Sequence, residues 1–325
     1  MFDQDEYLKS IDRFKEGIKA DENSVPAAAR RVENILAYGK NHPNSEYATI
    51  ESLNNITFND IEPFFNEYFL PNNSYMVIIG DFDVDSTINQ IEKLFKKWNK
   101  GKISDKAIKT NSNSKIAIHF IDMPNAIQSE VSFQNLIEMR MNDSEYFSLL
   151  LSNKILGGGP ENRLEQQIRE NKGYTYVARS SFGSSKYSKS RFRAYTSTRE
   201  EVTDSAVVEM LNEIKKIREI DVTEKELNDV KAKYFVNFVL ATESPSTIAN
   251  YTVQIETQNL DKDYYKNYLS NINSVTVSDV KNAANKYFNI DNGQIVVTGK
   301  GSALADKLEN ITFDGKKLAV YYYDK

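Results

Sequence analysis

The sequence has no cysteine, only two histidines and no long apolar run. Without cysteine it can have neither a disulfide framework nor a thiolate metal site. Its longest apolar runs, such as residues 76–79, are far too short to span a bilayer. The histidines show neither H-x-x-x-H nor H-x-x-E spacing. We therefore expect His42, in a turn sequence, to be solvated or hydrogen-bonded locally, and His119, in an apolar strand pattern, to be packed, rather than metal ligands.

Charge of neither sign is concentrated along the chain. It has 41 Lys and Arg against 46 Asp and Glu, a net charge of −5. The one cationic cluster, residues 93–102, is interrupted by Phe95 and Trp98. Because nucleic-acid binding needs a concentrated basic face, the sequence argues against it. The length of 325 residues is sufficient for two domains with full cores.

The first residues have the pattern of an amphipathic helix. Leu8, Ile11, Phe14 and Ile18 recur at spacings of three and four. The acidic, polar start is unlike a secretory signal. A sequence that begins within a helical pattern leads us to expect a missing upstream segment.

A repeat with an offset of 219 residues runs through the sequence, as from Thr57 to Thr276. Each of these threonines precedes an aspartate by three residues, a variant of the capping box that begins a helix. Further landmarks recur at this offset without a gap: Tyr68-Phe69 and Tyr287-Phe288, Asn73 and Asn292, Gly80 and Gly299, Pro26 and Pro245. Two homologous units are therefore predicted.

The repeat predicts the division into domains. In each copy an apolar helix stripe is followed by a short strand, at residues 75–79 and 294–298. The second copy begins near Lys115, so roughly a hundred residues of the first would lie upstream of Met1. We predict a truncated first domain at 1–100, a linker at 101–114 and a complete second domain at 115–325.

The second copy predicts the fold class. Its pattern gives strands at 115–121, 130–136, 174–182 and 191–198, and helices at 144–156, at 163–171 and beginning near 204, 223, 245 and 263. The helix at 144–156 follows Asp143, its expected N-cap. Strands first and helices later predict an α+β fold with an antiparallel sheet, rather than a doubly wound α/β fold.

Two groups of segments carry a family resemblance. LAYGKNHP at 36–43, YFLPNN at 68–73 and VIIGD at 77–81 resemble the latter half of the N-terminal domain of the pitrilysin/insulinase zinc metallopeptidases. LGGG at 156–159 and IRENKGYTY at 168–176 resemble the signature of the C-terminal domain of that family. With the repeat, the resemblance covers nearly the whole chain.

The resemblance implies a clamshell of two α+β domains around a peptide chamber. It places an H-x-x-E-H zinc motif on a helix of the first domain whose counterpart is the helix at 144–156. That motif is absent from this sequence and would lie upstream of it. Glu16 resembles the distal glutamate ligand, although Lys9 stands where active members often carry a second acidic residue. The alternative for Glu16 is a glutamate on a solvated helix face.

The resemblance also implies catalytic roles for Arg169 and Tyr176. An arginine and a tyrosine seven positions apart would reach the zinc centre of the other domain, where a guanidinium and a phenol can hold a substrate carbonyl and the developing oxyanion. The alternative is that Arg169 pairs with Glu165 and Tyr176 stacks within a strand. Tyr174 is the neighbour that could take the role of Tyr176.

Gly157, Gly158 and Gly159 form the third candidate site. No Lys-Ser/Thr follows them, so they are not a phosphate loop. We expect them to end a helix and permit a close backbone approach, and the resemblance places them beside bound peptide. Peptide would bind by strand addition to a sheet edge, for which the strand at 115–122 is one candidate.

Three functional hypotheses follow. The chain is a portion of a zinc metalloendopeptidase that hydrolyses unfolded peptides; or a non-catalytic subunit that supplies Arg169 and Tyr176 to a zinc-bearing companion; or a structural peptide-binding module. An intact H-x-x-E-H upstream would favour the first. We predict that the isolated chain holds no stoichiometric zinc and cleaves no peptide. The sequence leaves the compartment open, and a bacterial periplasm or cell envelope is one location that the resemblance allows.

Overall fold

The computed structural model describes residues 2–103, 110 and 115–323. Most of the predicted linker, 101–114, lies outside the described residues. Contacts divide the chain into two compact units, the first drawn from residues 1–20, 48–107 and 236–265, the second from 21–47, 108–235 and 266–325. These units are not the predicted domains. The predicted boundaries follow the sequence repeat, and they stay a prediction.

Helices make up much of the described chain. In chain order they are α1 (Gln4–Asp21), α2 (Val25–Tyr38), α3 (Ile50–Asn54), α4 (Ile61–Tyr68), α5 (Val84–Phe95), α6 (Tyr146–Leu156), a π-helix (Glu165–Asn171), α7 (Thr203–Glu219), α8 (Glu224–Thr242), α9 (Pro245–Gln258), α10 (Tyr268–Ser274), α11 (Val277–Tyr287) and α12 (Gly301–Glu309). The predicted cap of α6 is wrong: Glu145 is its N-cap residue, and the Asp143 carboxylate accepts from the Arg140 amide at 2.7 Å.

Strands of the second unit form one large sheet. They are β1 (Ala117–Asp122), β2 (Ser129–Ile137), β3 (Ala178–Phe182), β4 (Ser190–Thr198), β5 (Gln294–Gly299) and β8 (Ala319–Tyr323), with β6 (Thr312–Phe313) and β7 (Lys316–Lys317) paired separately. The order is β3-β4-β2-β5-β1-β8, and β1 runs parallel to both neighbours while the other pairs are antiparallel. Strand 115–122, one candidate edge for peptide addition, is not an edge, because β5 and β8 flank β1. The predicted α+β class is confirmed.

One face of this sheet packs against α6 and α7, and α11 packs on those two helices. Phe192 of β4 points into that layer and stacks on Phe288, with ring centroids 4.1 Å apart. Because side chains alternate along a strand, Arg191 and Arg193 project to the opposite face. That opposite face is covered by α2, whose Val32 packs against the buried cluster that includes Ile121 and Val296.

A buried carboxylate fixes α2 to the sheet. The Glu33 side chain has no exposed surface and accepts from Arg193 Nε at 2.8 Å and Nη2 at 2.9 Å. Ser132 Oγ donates to the same carboxylate at 2.6 Å, and Arg191 Nη1 lies 3.4 Å from it. Gln134 Nε2 donates to the Glu33 carbonyl at 2.7 Å. The charge of Glu33 is therefore met by two arginines and a hydroxyl, as a buried ion requires.

The first unit contains α1, α3, α4, α5 and α9. Trp98 Nε1 donates to the Phe69 carbonyl at 3.0 Å, and the Tyr7 hydroxyl donates to the Ile56 carbonyl at 2.8 Å. The predicted strand at 75–79 is wrong: the segment belongs to no strand. A strand requires a neighbouring strand to pair with, and no described residue pairs with this segment.

Candidate functional site

The triple glycine lies between α6 and the edge strand β3. The amides of Gly157 and Gly158 both donate to the Asn153 carbonyl, at 2.9 and 2.8 Å, which closes the end of α6. The Ser180 amide of β3 then donates to the Gly157 carbonyl at 2.9 Å. A Cβ on Gly157 would lie 2.3 Å from that amide nitrogen, so this position admits only glycine without a backbone shift.

The other two glycines are less constrained. A Cβ on Gly158 would meet Asn153 Nδ2 at 2.8 Å and the Lys154 Cα at 3.0 Å. A Cβ on Gly159 would meet only the far end of the Lys154 side chain, which can move. The close backbone approach expected from the sequence is thus found at Gly157, and the substrate-binding role of the three glycines stays a prediction.

The next segment, predicted as a helix at 163–171, is a π-helix at Glu165–Asn171. Each π turn holds one extra residue, and such turns occur frequently at functional sites. Here the Lys172 amide bonds back to the Gln167 carbonyl at 3.2 Å, and the Tyr174 amide to the Ile168 carbonyl at 2.9 Å. Gly173 has a φ of 64°, the left-handed conformation that lets the chain turn toward β3.

Arg169 projects from this π-helix and is half-exposed. Its Nη1 donates to Glu165 at 2.9 Å, and its Nε lies 3.3 Å from Glu170. The Glu165 side chain is buried and also accepts from Arg179 of β3. Burial alone would raise the pKa of Glu165, but the hydrogen bonds from Arg179 and Arg169 outweigh it and lower that pKa. Glu165 is therefore an ionised anchor for two arginines.

Tyr176 lies on the turn before β3 and is 81 % exposed. The turn itself is fixed: Thr175 Oγ1 donates to the Ser197 carbonyl at 2.6 Å and accepts from the Val177 amide at 3.1 Å. Because β3 begins only at Ala178, Tyr176 does not stack within a strand, and the structural alternative predicted for it is not realised. Tyr174 is less exposed than Tyr176.

Contacts from Arg179 join the glycine loop to the π-helix. Its Nη1 donates to the Gly159 carbonyl at 3.3 Å and pairs with Glu165. The predicted glycines and Arg169 are thus brought to the same end of β3. The role of Arg179 was not predicted, although an arginine within an otherwise apolar and small-residue strand is the signal that could have indicated it.

Glu16, the predicted metal ligand, is exposed on α1 in the first unit. Lys9, seven positions earlier, pairs with Glu6 at 2.8 Å. Among the described residues no three or more His, Cys, Asp or Glu side chains lie close enough to hold a metal ion. A protein zinc site normally needs at least three such ligands. The residues present in the described ranges therefore do not fit a zinc ion.

Both histidines are buried. His42 Nδ1 accepts from the Asn44 amide at 3.0 Å, and its ring stacks on Tyr38. His119 Nδ1 lies 2.8 Å from the Tyr323 hydroxyl. Burial lowers the pKa of each, and for His119 a hydrogen bond with Gln294 partly opposes this effect. His42 is therefore hydrogen-bonded locally but buried rather than solvated, and His119 is packed, as predicted.

The fold and the segment from the glycine loop to Tyr176 indicate a metallopeptidase-type domain. Residues 55–234 match the family described as the peptidase M16 inactive domain. The match extends over more than half of the sequence, so this chain belongs to the peptidase M16 family. The predicted resemblance to the pitrilysin/insulinase peptidases is confirmed.

Similar proteins agree with this assignment. The chain is 24% identical over 252 residues to an uncharacterized zinc protease of Rickettsia felis, covering 73% of this chain and 56% of the relative. It thus spans little more than half the length of that relative.

Two solved structures have the same fold. The first is a peptidase M16 inactive domain from Pseudomonas fluorescens, with a TM-score of 0.83 at 23% identity over 92% of this chain and 72% of the other. The second is a protease from Helicobacter pylori, with a TM-score of 0.80 at 19% identity over 92% of this chain and 73% of the other. Across the described ranges, no helix has the length and apolarity needed to span a bilayer.

Proposed function

We propose that this chain is the substrate-contacting portion of an M16-type zinc endopeptidase that hydrolyses unfolded peptides. The metal-binding residues are supplied by another polypeptide segment, since the described residues offer no zinc ligand set. The observation that carries the proposal is the exposed Tyr176 phenol, held on a fixed turn beside the π-helix of Arg169.

Tyr176 and Arg169 have chemically distinct roles in this proposal. The Tyr176 hydroxyl donates a hydrogen bond to the oxyanion that forms when the peptide carbonyl is attacked. A guanidinium has five N–H donors in a fixed fork. Since Arg169 faces Glu165 and Glu170 through Nη1 and Nε, its Nη2 donates to a substrate carbonyl. Glu165 keeps the guanidinium of Arg169 oriented, while the exposed part of the Arg169 side chain reaches the peptide.

Peptide binding by strand addition requires a sheet edge, and the described six-stranded sheet has two, β3 and β8. The β3 edge adjoins Tyr176, but its Ser180 amide is already bonded to Gly157. The β8 edge carries Tyr321 and Tyr322, each about half-exposed. Backbone pairing at either edge would give affinity with little sequence preference, as expected for unfolded substrates.

A non-catalytic partner subunit is the second candidate. Glu16 is the one residue that resembles a zinc ligand, and it belongs to no group of possible metal ligands among the described residues. This absence of further ligands favours the partner subunit. In that case a separate zinc-bearing companion would receive Arg169 and Tyr176. Metal analysis of the full-length natural protein distinguishes the two: the peptidase binds zinc itself, whereas the partner subunit binds none and acquires activity only when the companion is added.

The test is the variant Arg169→Ala in the zinc-loaded assembly, with Arg163→Ala as the matched control. Arg163 is an arginine six positions earlier that pairs with Glu226 at 2.9 and 3.1 Å. Loss of a transition-state contact lowers kcat by roughly a hundredfold or more. We expect that loss for Arg169→Ala at unchanged zinc content, and a near-normal kcat for Arg163→Ala. Equal kcat values for the two variants would remove Arg169 from the site and favour the structural module.

A further inference from the structure

A single carboxylate, that of Glu165, lies between two arginines beside the glycine loop. Its Oε1 accepts from Arg169 Nη1 at 2.9 Å, and its Oε2 pairs with Arg179. Asn162 Nδ2 also lies 3.3 Å from Oε2. The Glu165 side chain is only 8 % exposed, so these protein groups, rather than solvent, supply most of its partners. Its two oxygens are thus divided between different donors.

Two other arginine–glutamate pairs of the second unit use both carboxylate oxygens. Arg193 donates to Glu33 through Nε and Nη2, at 2.8 and 2.9 Å. Arg163 donates to Glu226 through the same two nitrogens, at 2.9 and 3.1 Å. This bidentate geometry is the frequent arrangement of an arginine and a carboxylate. The arginine of the candidate site differs, because one nitrogen alone donates to its glutamate.

Occupation of the second oxygen explains this difference. Arg179 reaches Oε2 of Glu165 from β3, and its Nη1 also donates to the Gly159 carbonyl at 3.3 Å. Hydrogen bonds between ionised groups are roughly twice as strong as neutral ones, so Arg179 competes for Oε2 more strongly than the Asn162 amide does. Arg169 therefore meets a carboxylate whose second oxygen is already taken by another cation.

The Nη2 nitrogen of Arg169 is left open by this arrangement. Across the described ranges, Arg169 makes its side-chain contacts with carboxylates through Nη1 to Glu165 and through Nε to Glu170, the latter at 3.3 Å. Glu170 is exposed, and ion pairs at the surface hold a side chain only weakly. Because the Arg169 side chain is 45 % exposed, its guanidinium is accessible to a ligand.

We propose that Arg179 is a positioning residue that prevents Arg169 from closing a bidentate pair with Glu165. By holding Oε2, Arg179 limits Arg169 to one hydrogen bond with Glu165 and keeps Nη2 free for the substrate carbonyl. Without Arg179, the guanidinium of Arg169 turns onto both oxygens of Glu165 and is withdrawn from the substrate. The use of the free Nη2 rests on the proposed function, whereas the competition for Glu165 does not.

Two substitutions should therefore act in opposite directions. Arg179→Met frees Oε2 of Glu165, so it withdraws Arg169 from the substrate. Glu165→Gln in the same chain removes the charge that attracts Arg169, so it releases Arg169 again. If Arg179 only supported the glycine loop, the second substitution would remove one more contact and would restore nothing.

Chemical labelling of Arg169 in the purified chain tests the competition directly. Phenylglyoxal attaches to the Nη nitrogens of arginine, and mass spectrometry of the peptide that contains Arg169 gives the rate. We expect labelling to slow roughly tenfold in Arg179→Met, since a hydrogen bond to an ionised group must first be broken. In the double variant with Glu165→Gln the rate should return toward that of the wild type. The matched control, Arg163→Met, removes an arginine that pairs with a different glutamate and should leave the rate unchanged.

Two labelling results would overturn the proposal. One is an unchanged or faster rate at Arg169 in Arg179→Met, and the other is a slow rate that Glu165→Gln does not relieve. The Arg179 side chain is partly exposed on an edge strand, so we expect its variants to fold, which their urea midpoints check. If Arg179→Met does not fold, Arg179→Gln carries the same expectation, because it keeps a donor for the Gly159 carbonyl but lacks the positive charge.

Turnover of the zinc-loaded assembly provides the functional readout. We expect kcat to fall by about a hundredfold in Arg179→Met at unchanged zinc content, as for loss of the Arg169 contact itself, and to rise again when Glu165→Gln is added. Labelling that changes as expected while kcat stays at the wild-type value would support the competition and refute the proposed role of Arg169 in hydrolysis. Labelling that does not change would refute the competition at any value of kcat.

Discussion

Replacement of Glu33 by glutamine should strongly destabilise the second unit. Glutamine keeps the size of the side chain but removes the charge, which leaves Arg193 and Arg191 without their buried counterion. Removing one partner of a buried ion pair costs about 3–5 kcal/mol. Both arginines keep some contact with solvent, at 18 and 21 % exposure, and a glutamine oxygen can still accept one hydrogen bond. We therefore expect a loss at the lower end, about 3 kcal/mol.

The assay is urea unfolding followed by far-UV circular dichroism and by hydrogen exchange of the β2 and β4 amides. Tryptophan fluorescence does not serve, because Trp98, the single tryptophan, lies in the first unit. The control is Glu22→Gln, an exposed glutamate just before α2, which should change stability by less than about 0.5 kcal/mol. If Glu33→Gln has the wild-type urea midpoint and the wild-type dependence of unfolding free energy on urea, the contacts of Glu33 do not hold α2 to the sheet.

Three further predictions concern the candidate site and the metal. Gly157→Ala should cost about 1–3 kcal/mol, because its Cβ would meet the Ser180 amide, whereas Gly159→Ala should be nearly neutral because the end of Lys154 can move; equal urea midpoints would contradict this. The pKa of Glu165 is lowered in the folded state, so its stabilising effect is present above the ordinary carboxylate range and is lost as the pH falls through that lowered value. The stability gap between wild type and Glu165→Gln should accordingly shrink on acidification, and a constant gap would count against it. The isolated chain should hold no stoichiometric zinc by metal analysis, and one tightly bound equivalent would overturn that expectation.

Local signals in the sequence predicted much of the fold. The capping boxes at Thr57 and Thr276 both form, because their hydrogen bonds involve only neighbouring residues. The box at Thr276 begins α11 as expected, whereas the one at Thr57 begins a 3-10 turn and α4 starts only at Ile61. β2 and β4 also form within one or two residues of their predicted bounds. These elements have apolar patterns that match their secondary structure over most of their length, so local preference and packing agree.

Features that depend on distant contacts were not predictable in the same way. The segment 75–79 has the pattern of a strand but lacks strand neighbours in the described chain, whereas β5 has two. The position of β1 inside the sheet depends on β8, some two hundred residues later. Strand order depends on which distant strands pair, and the residue pattern of a single strand does not reveal this.

The residues of the candidate site rest on the resemblance and stay a prediction, and their geometry was not foreseen. Arg169 and Tyr176 were identified by resemblance, and the pairing of Arg169 with Glu165 was foreseen as an alternative. The π-helix was not, since its seven residues are too few for the apolar spacing to distinguish π turns from α turns. The exposure of Tyr176 follows from the bond between Thr175 and the Ser197 carbonyl on a distant strand, which local sequence does not encode.

The single-turnover rate of Tyr176→Phe in the zinc-loaded assembly tests the central claim most directly. This variant removes one hydroxyl from a side chain that is 81 % exposed, so folding and zinc content should be unchanged. If the phenol stabilises the oxyanion, the rate of peptide cleavage falls by about a hundredfold or more. A wild-type rate at equal zinc occupancy would show that this chain does not contribute Tyr176 to peptide hydrolysis.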